Sequence, residues 1–166
     1  MSARHVPILL LVALLLWMGA ELALVWPSLP PRIATHFNAA GHPNGWSTPG
    51  QLVLSMASLF AIFGALFVAA GWLEWLPDAL VNIPNKDYWF APERRAASFA
   101  AVRDWLRWGL LAPLAFLVFD LTATLDANLG PRPHLQMNVW WLGGMLAFTA
   151  VMIAWPFWRF HTPRTH

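Results

Sequence analysis

The sequence contains no cysteine and few charged residues. The absence of cysteine excludes disulfide bonds, thiolate metal sites and a cysteine nucleophile, and it removes the usual indicator of redox compartment. Charged residues make up 11% of the 166 positions, whereas a soluble domain usually carries about 25%. Because 58% of the residues are hydrophobic, the chain cannot cover itself with a charged, water-facing surface. The composition therefore favours an integral membrane protein.

Four long apolar stretches hold most of the hydrophobic residues. A helix needs roughly 20 mostly apolar residues to cross the hydrocarbon region of a bilayer. The stretches at about 6–26, 52–72, 105–125 and 138–158 meet this requirement. They predict an all-α protein, a four-helix transmembrane bundle that forms a single integral membrane domain over residues 1–166. The first stretch is longer than the core of a signal peptide, so we expect it to be retained as an anchor.

The positions of Lys and Arg predict the orientation of the bundle, because cytoplasmic loops carry an excess of these residues. With the N-terminus in the cytoplasm, eight of the ten Lys and Arg residues lie inside, and Arg32 and Arg132 lie outside. We therefore expect both termini to be cytoplasmic, with an outer loop at 27–51 and an inner loop at 73–104. Ten of the 12 Trp residues fall near the predicted span ends, as anchoring at two membrane–water interfaces predicts.

Small residues recur along the second and fourth spans, where close helix packing in lipid depends on them. We expect both stripes to face other helices, either within the monomer or across a homo-oligomer. The stripes consist of Ala57, Ala61, Ala65 and Ala69, and of Gly143, Ala147, Ala150 and Ala154.

The outer loop is dense in Pro, Gly and Asn, which argues against a long helix. The run from Pro43 to Gly45 favours a tight turn, because Pro fixes its φ while Asn and Gly tolerate positive φ. Apolar Ile33 and Phe37 could pack onto the bundle. The loop is therefore predicted to form an ordered cap.

The inner loop contains the run NIPNKDYWFAPERR, residues 82–95. Pro92 and Glu93 suit the first turn of a helix, which could continue into the third span as one long helix. Pro113 lies inside that span, where proline commonly kinks a helix. Membrane anchoring by the aromatic and basic side chains is one interpretation of this run. Contact with a cytoplasmic protein through Tyr88, Trp89, Arg94 and Arg95 is the other.

Both polar loops resemble a known bacterial family. Leu29-Pro30-Pro31-Arg32-Ile33-Ala34-Thr35-His36-Phe37-Asn38, followed by Gly41 and Pro43-Asn44-Gly45-Trp46, is similar to the signature of domain of unknown function 1648. The run 82–95 is similar to a second block of short members. The resemblance implies a multi-pass protein of the bacterial cytoplasmic membrane, related to the N-terminal region of the immunity protein SdpI. Ala34 and Asn44 depart from the family pattern, which often has Pro and an acidic residue there.

Two ionisable residues fall within the spans, where such side chains are costly and indicate function. Glu21 and Asp120 lie at a similar predicted depth, about 7 and 9 Å below the outer end of their spans at ~1.5 Å per residue. Together with His36 and Asn38 of the outer loop, they are the candidate ligand-binding residues. A structural ion pair or hydrogen bond, for example with Arg32 or Arg132, is the alternative for both carboxylates. His36, His42 and His134 are weaker candidates for a divalent metal, since imidazoles and carboxylates are zinc ligands.

No motif for a catalytic nucleophile, a phosphate loop or a dinucleotide cofactor is evident, so we predict no catalytic residue and no cofactor. We expect a non-enzymatic sensor or immunity-type protein, with a peptide or small ligand outside and a cytoplasmic protein partner inside. Nucleic acid is not an expected partner. The alternatives are a proton- or metal-handling transporter or accessory subunit, and a membrane metallohydrolase that uses a divalent metal.

Overall fold

A computed structural model describes residues 5–136 and 139–161 of the chain. The structure is mostly helical, with 75% of its residues in helices. The helices are α1 (Val6–Val25), α2 (Pro49–Ala69), the one-turn α3 (Lys86–Trp89), α4 (Pro92–Leu129) and α5 (Val139–Arg159). Two strands, β1 (Ile33–Phe37) and β2 (Pro43–Ser47), lie between α1 and α2.

Among residues 5–136 and 139–161, four helices are long and apolar enough to cross a membrane, as the hydropathy pattern predicted. The largest difference in bounds concerns α4, which begins at Pro92 rather than near 105. Proline is favoured at a helix start, and Glu93 favours the positive end of the helix dipole, so the end of the inner loop, from Pro92, and the third span form one helix. α4 continues through Pro113. Asn138, the predicted start of the fourth span, lies outside the described residues, as do Arg4 and Arg164.

The prediction of an all-α fold missed a β-hairpin. β1 and β2 pair antiparallel, with Ile33 opposite Ser47 and Ala34 opposite Trp46. The predicted turn at 43–45 was wrong, because Pro43 begins β2 and the chain reverses before it, between Asn38 and His42. We call residues 33–47 the hairpin cap. Its short strands, interrupted by register shifts near His36, leave too little alternation for a strand to be read from sequence.

The chain divides into two compact units, the first formed by Met1–Gly64 and Leu111–Val139. Its core joins α1, α2 and the second half of α4 with the start of β1. Ile33, Leu114 and Leu125 are fully buried there. Ile33 packs in one cluster with Leu52, Leu121 and Leu125, so it fixes the hairpin cap to the helices. The expectation that Ile33 packs onto the bundle is confirmed.

The second unit consists of Ala65–Leu110 and Trp140–His166. Its core is aromatic, with Phe99 and Phe160 fully buried. Phe160 follows the end of α5 and packs against Trp89 and Trp155 with edge-on ring contacts at 5.7 and 5.9 Å. The segment between α2 and α4 wraps this core and contributes Val81 and Ile83 to it.

The stripes of small residues do not face other helices of the same chain. All eight residues, from Ala57 to Ala69 on α2 and from Gly143 to Ala154 on α5, are exposed. Larger residues make the contacts instead, for example Phe60 with Leu114 and Leu117 in the first unit. The prediction that the stripes face other helices within the monomer was therefore wrong. Contact across a homo-oligomer stays a prediction.

Candidate functional site

Asn128, near the end of α4, attaches the hairpin cap to the helices. Its Oδ1 accepts a hydrogen bond from the backbone N–H of Ala34 at 2.7 Å, and its Nδ2 donates to the carbonyl of Ala34 at 2.8 Å. Nδ2 also donates to the carbonyl of Thr124 at 2.7 Å. Asn128 thus takes the place of a neighbouring strand on the side of β1 away from β2. Because both residues are buried, these bonds satisfy backbone groups that water cannot reach.

The turn of the hairpin cap is organised by Asn38. Its Oδ1 accepts hydrogen bonds from the backbone N–H groups of Ala40 and His42, each at 3.0 Å. Gly41 completes the turn with φ +78°, a left-handed conformation that glycine adopts without steric cost. Asn38, a predicted ligand-binding residue, therefore has a structural role, since its side-chain oxygen shapes the turn.

The loop after α4 closes over this turn. The backbone N–H of Leu135 donates to the carbonyl of Gly41 at 3.0 Å, and the ring of His134 lies 5.5 Å from that of His42. A Cβ at Gly41 would collide with the carbonyl of Leu135 and the His134 ring. Two of the three weak metal candidates, His42 and His134, are thus neighbours.

His36 lies apart from that pair, with its Nδ1 3.1 Å from Oδ1 of Asn44 across the hairpin. Its side chain is exposed, and its imidazole lies within electrostatic reach of the half-buried Asp120 carboxyl. The structure thereby brings His36 and Asp120, two predicted ligand-binding residues, towards one another. In the part of the chain that the structure describes, no three His, Asp or Glu side chains are placed to hold one metal ion.

Glu21 is held by hydrogen bonds rather than by an arginine. Its Oε2 accepts from the hydroxyl of Thr122 at 2.5 Å and from the indole N–H of Trp17 at 3.1 Å. The ion pairs found among residues 5–136 and 139–161 involve neither Glu21 nor Arg32. Of the two structural alternatives for Glu21, the hydrogen bond is therefore the one observed, and no ion pair of Glu21 is found among the described residues. Thr122 lies two positions after Asp120, about 3 Å along the helix, so the carboxylates of Glu21 and Asp120 lie at neighbouring levels.

Residues 82–95, which we call the Tyr-Trp block, bind the end of α5. The Trp89 indole N–H and the Asn85 amide both donate to the carbonyl of Phe160, at 2.9 and 2.8 Å. The guanidinium of Arg94 lies 4.0 Å from the centre of the Tyr88 ring. The Arg95 guanidinium donates to Oδ1 of Asp78 at 2.8 and 3.0 Å. Most of the predicted partner-contacting side chains thus make internal contacts, while Tyr88 keeps 38% of its surface exposed.

Several residues that build these sites were not identified from the sequence. The partners of Asn128 and Thr122 lie far away in sequence. The partner of Trp17 lies one helical turn away. A signal for Trp17 was present, since it precedes Glu21 by four positions and such pairs face one another on a helix. Nothing local distinguishes Asn128, because its partner lies 94 positions earlier.

The part of the chain that the structure describes has the architecture of a multi-pass membrane protein, with four helices that can cross a bilayer and a small β-hairpin between the first two. Residues 8–69 match the model of the family described as Domain of unknown function (DUF1648), so the resemblance is confirmed for this part of the chain. The match covers α1, the hairpin cap and α2. No curated protein and no solved structure matches the chain.

Proposed function

We propose that the chain is a non-enzymatic sensor or immunity-type protein of the bacterial cytoplasmic membrane, and that its hairpin cap receives an extracytoplasmic peptide. One observation carries the proposal. The cap is fixed by Asn128 along β1, whereas β2 forms the opposite edge of a two-stranded sheet. No third strand pairs with β2 in the described ranges. An unpaired edge on a fixed support suits a peptide that adds as a strand.

The side chains around that edge are suited to recognition. Trp46 is 45% exposed, and the guanidinium of Arg32 lies 5.9 Å from the centre of its ring. Aromatic and arginine side chains contribute most to the energy of many interfaces. His36 adds an exposed imidazole. A peptide along β2 would meet an indole, a cation and an imidazole on or beside the same small sheet.

The placement of the cap outside the cytoplasm rests on charge. The segments joined to its side of the helices carry Arg32 and Arg132, while Lys86, Arg94 and Arg95 lie with the Tyr-Trp block. The excess of basic residues on a cytoplasmic side supports an orientation with both termini inside. The ligand-facing cap and the partner-facing block would then lie in different compartments, as a sensor requires.

A photoreactive benzoylphenylalanine at position 46 tests the outer half of the proposal. Cells that carry this variant are irradiated in culture medium that contains secreted peptides and has been filtered to remove larger molecules. Adducts are then identified by mass spectrometry. A peptide adduct at position 46 is expected. The matched control places the same group at Leu24, which is 79% exposed on α1 and should yield lipid adducts. Equal peptide labelling at both positions, or none at position 46, would contradict the proposal.

Tyr88 tests the inner half. Tyr88→Ala should abolish capture of a cytoplasmic protein by the tagged chain while membrane levels stay unchanged, since Tyr88 is exposed. Trp89→Phe is the comparison, because it keeps an aromatic ring but loses the bond to Phe160. Capture that is unchanged in both variants would remove the evidence for a partner at this block.

A further inference from the structure

A groove lies between the first half of α4 and α5, within the second unit. Its volume is about 360 Å³. The lining residues that matter here are Asp104, Trp105, Trp108, Val151, Met152 and Trp155. Neither the hairpin cap nor the Tyr-Trp block contributes to this lining, so the groove is separate from the candidate site described above.

The indole rings of the groove are held in fixed positions. Trp105 donates its N–H to the carbonyl of Met152 at 2.9 Å. The rings of Trp105 and Trp155 are nearly parallel, 8° apart in orientation, with centres 6.2 Å apart. Gly109 allows α5 to approach closely, since a Cβ there would lie 2.7 Å from Cε of Met152. Contacts within the protein therefore fix the positions of the Trp105 and Trp155 rings without a bound ligand.

The charged residue of the groove, Asp104, lies in the half nearer the start of α4, and the other half is apolar. α4 and α5 run antiparallel along it, because Trp105 contacts Trp155 while Gly109 lies against Met152. Ala101, Asp104 and Trp155 therefore lie in one half of the groove. Trp108 and Val151 lie about one turn, roughly 6 Å, further along the helices. This is the profile of an amphiphile with a charged head and an apolar tail.

The charge in the half of the groove that holds Asp104 is negative. Arg103 is the nearest cation, and its guanidinium binds Glu74 at 2.5 Å, whereas its Nε lies 3.5 Å from Oδ1 of Asp104. Two carboxylates therefore share one guanidinium. The guanidinium of Arg107 lies 5.5 Å from the centre of the Phe67 ring and close to Gly71. Arg107 is therefore on the side of α4 that faces α2. Asp104 keeps acceptor capacity for a second cation.

We propose that this groove binds the ammonium headgroup of a phospholipid such as phosphatidylethanolamine. The ammonium group would sit between the Asp104 carboxylate and the faces of the indoles, which attract cations through their ring quadrupoles. The acyl chains would follow Val151 and Met152 into the bilayer. Tryptophan-rich positions at the membrane–water boundary place the headgroup at the level where lipids carry theirs.

Native mass spectrometry of the delipidated full-length protein tests the proposal. Phosphatidylethanolamine and phosphatidylglycerol with identical acyl chains are titrated separately. The phosphatidylethanolamine adduct should form at lower lipid concentration, although the chain's net charge of +2 would favour the anionic lipid. Asp104→Asn should weaken phosphatidylethanolamine binding about tenfold, as loss of a charge partner beside an aromatic site implies. Phosphatidylglycerol binding should not change.

Glu93→Gln is the matched control, since it removes the same charge from an exposed position on the same helix. It should bind phosphatidylethanolamine as the unaltered protein does. Trp108→Leu, which keeps an apolar side chain, should weaken binding without loss of helical circular dichroism. Equal affinity for both lipids would overturn the proposal, as would equal losses in Asp104→Asn and Glu93→Gln. Complete displacement of the lipid by tetramethylammonium would show a site for a free cation, and would overturn it too.

Discussion

Asn128 and Ala34 form a reciprocal pair, in which one side-chain amide satisfies both backbone groups of a strand residue 94 positions away. The bonds measure 2.7 and 2.8 Å, and Ala34 has no exposed surface. The pair replaces a missing third strand, so the hairpin cap is held against α4 without a larger sheet. This contact makes a short hairpin a fixed structural element, which isolated hairpins are not.

Replacing Asn128 by Ala should release the hairpin cap. The N–H and C=O of Ala34 would remain buried without partners, and each such group costs about 1–3 kcal/mol. Hydrogen exchange at the Ala34 N–H should accelerate by at least roughly 30-fold, which corresponds to about 2 kcal/mol. Asn82→Ala, at an exposed position, should leave exchange in the cap unchanged. Unchanged exchange in Asn128→Ala would show that the pair does not hold the cap.

Gly41→Ala should disrupt the turn of the cap. Its φ of +78° costs a residue with a Cβ roughly 1–2 kcal/mol, and the new methyl group would meet the backbone of Leu135. We expect faster proteolysis between Asn38 and His42 in the purified protein. Gly50→Ala is the matched control, because nothing lies within 4 Å of a Cβ at that position. Equal proteolysis of the two variants would refute this account of the turn.

Single cysteines report the orientation without interference, since the chain has none of its own. A membrane-impermeant maleimide should label Ala40→Cys in intact cells and Ala97→Cys only after permeabilisation. Both positions are exposed, so a difference in labelling reports the side of the membrane. The opposite pattern would invert the proposed orientation and place the hairpin cap in the cytoplasm.

The double variant Glu21→Gln, Asp120→Asn separates the sensor from the transporter. Both changes keep side-chain size, and the new amide oxygen at position 21 could still accept hydrogen bonds from Thr122 and Trp17, so the fold should persist. As a sensor, the protein in liposomes should conduct protons and zinc no faster than empty liposomes, with or without the double change. A flux above that background, abolished by the double variant, would replace the sensor proposal with the transporter.

Metal analysis addresses the hydrolase alternative. The rings of His42 and His134 are neighbours, but His36 is paired with Asn44 instead. Two imidazoles are fewer protein ligands than catalytic zinc sites use. We expect the purified protein to contain zinc well below one ion per chain. One zinc per chain that disappears in His42→Asn, with the fold retained, would favour the hydrolase.

Much of the helical architecture was predictable because its causes are local. A run of apolar side chains forms a helix in lipid whatever its neighbours are, since every backbone group is then bonded within the segment. The early start of α4 at Pro92 also follows from adjacent residues. The hairpin was not predictable in this way, because Pro43, Asn44 and Gly45 favour a turn locally but form part of a strand that pairs with β1.

The sequence by itself therefore determined that four helices can cross a membrane, that the loop after α1 is ordered, and that residues 8–69 resemble a known family. The tertiary structure decided the contacts of the polar residues. Glu21 binds Thr122 from 101 positions away, and Asn128 binds Ala34 across 94. A hydrogen bond depends on the positions of two atoms in space, and the residue types alone leave the choice among many donors and acceptors open.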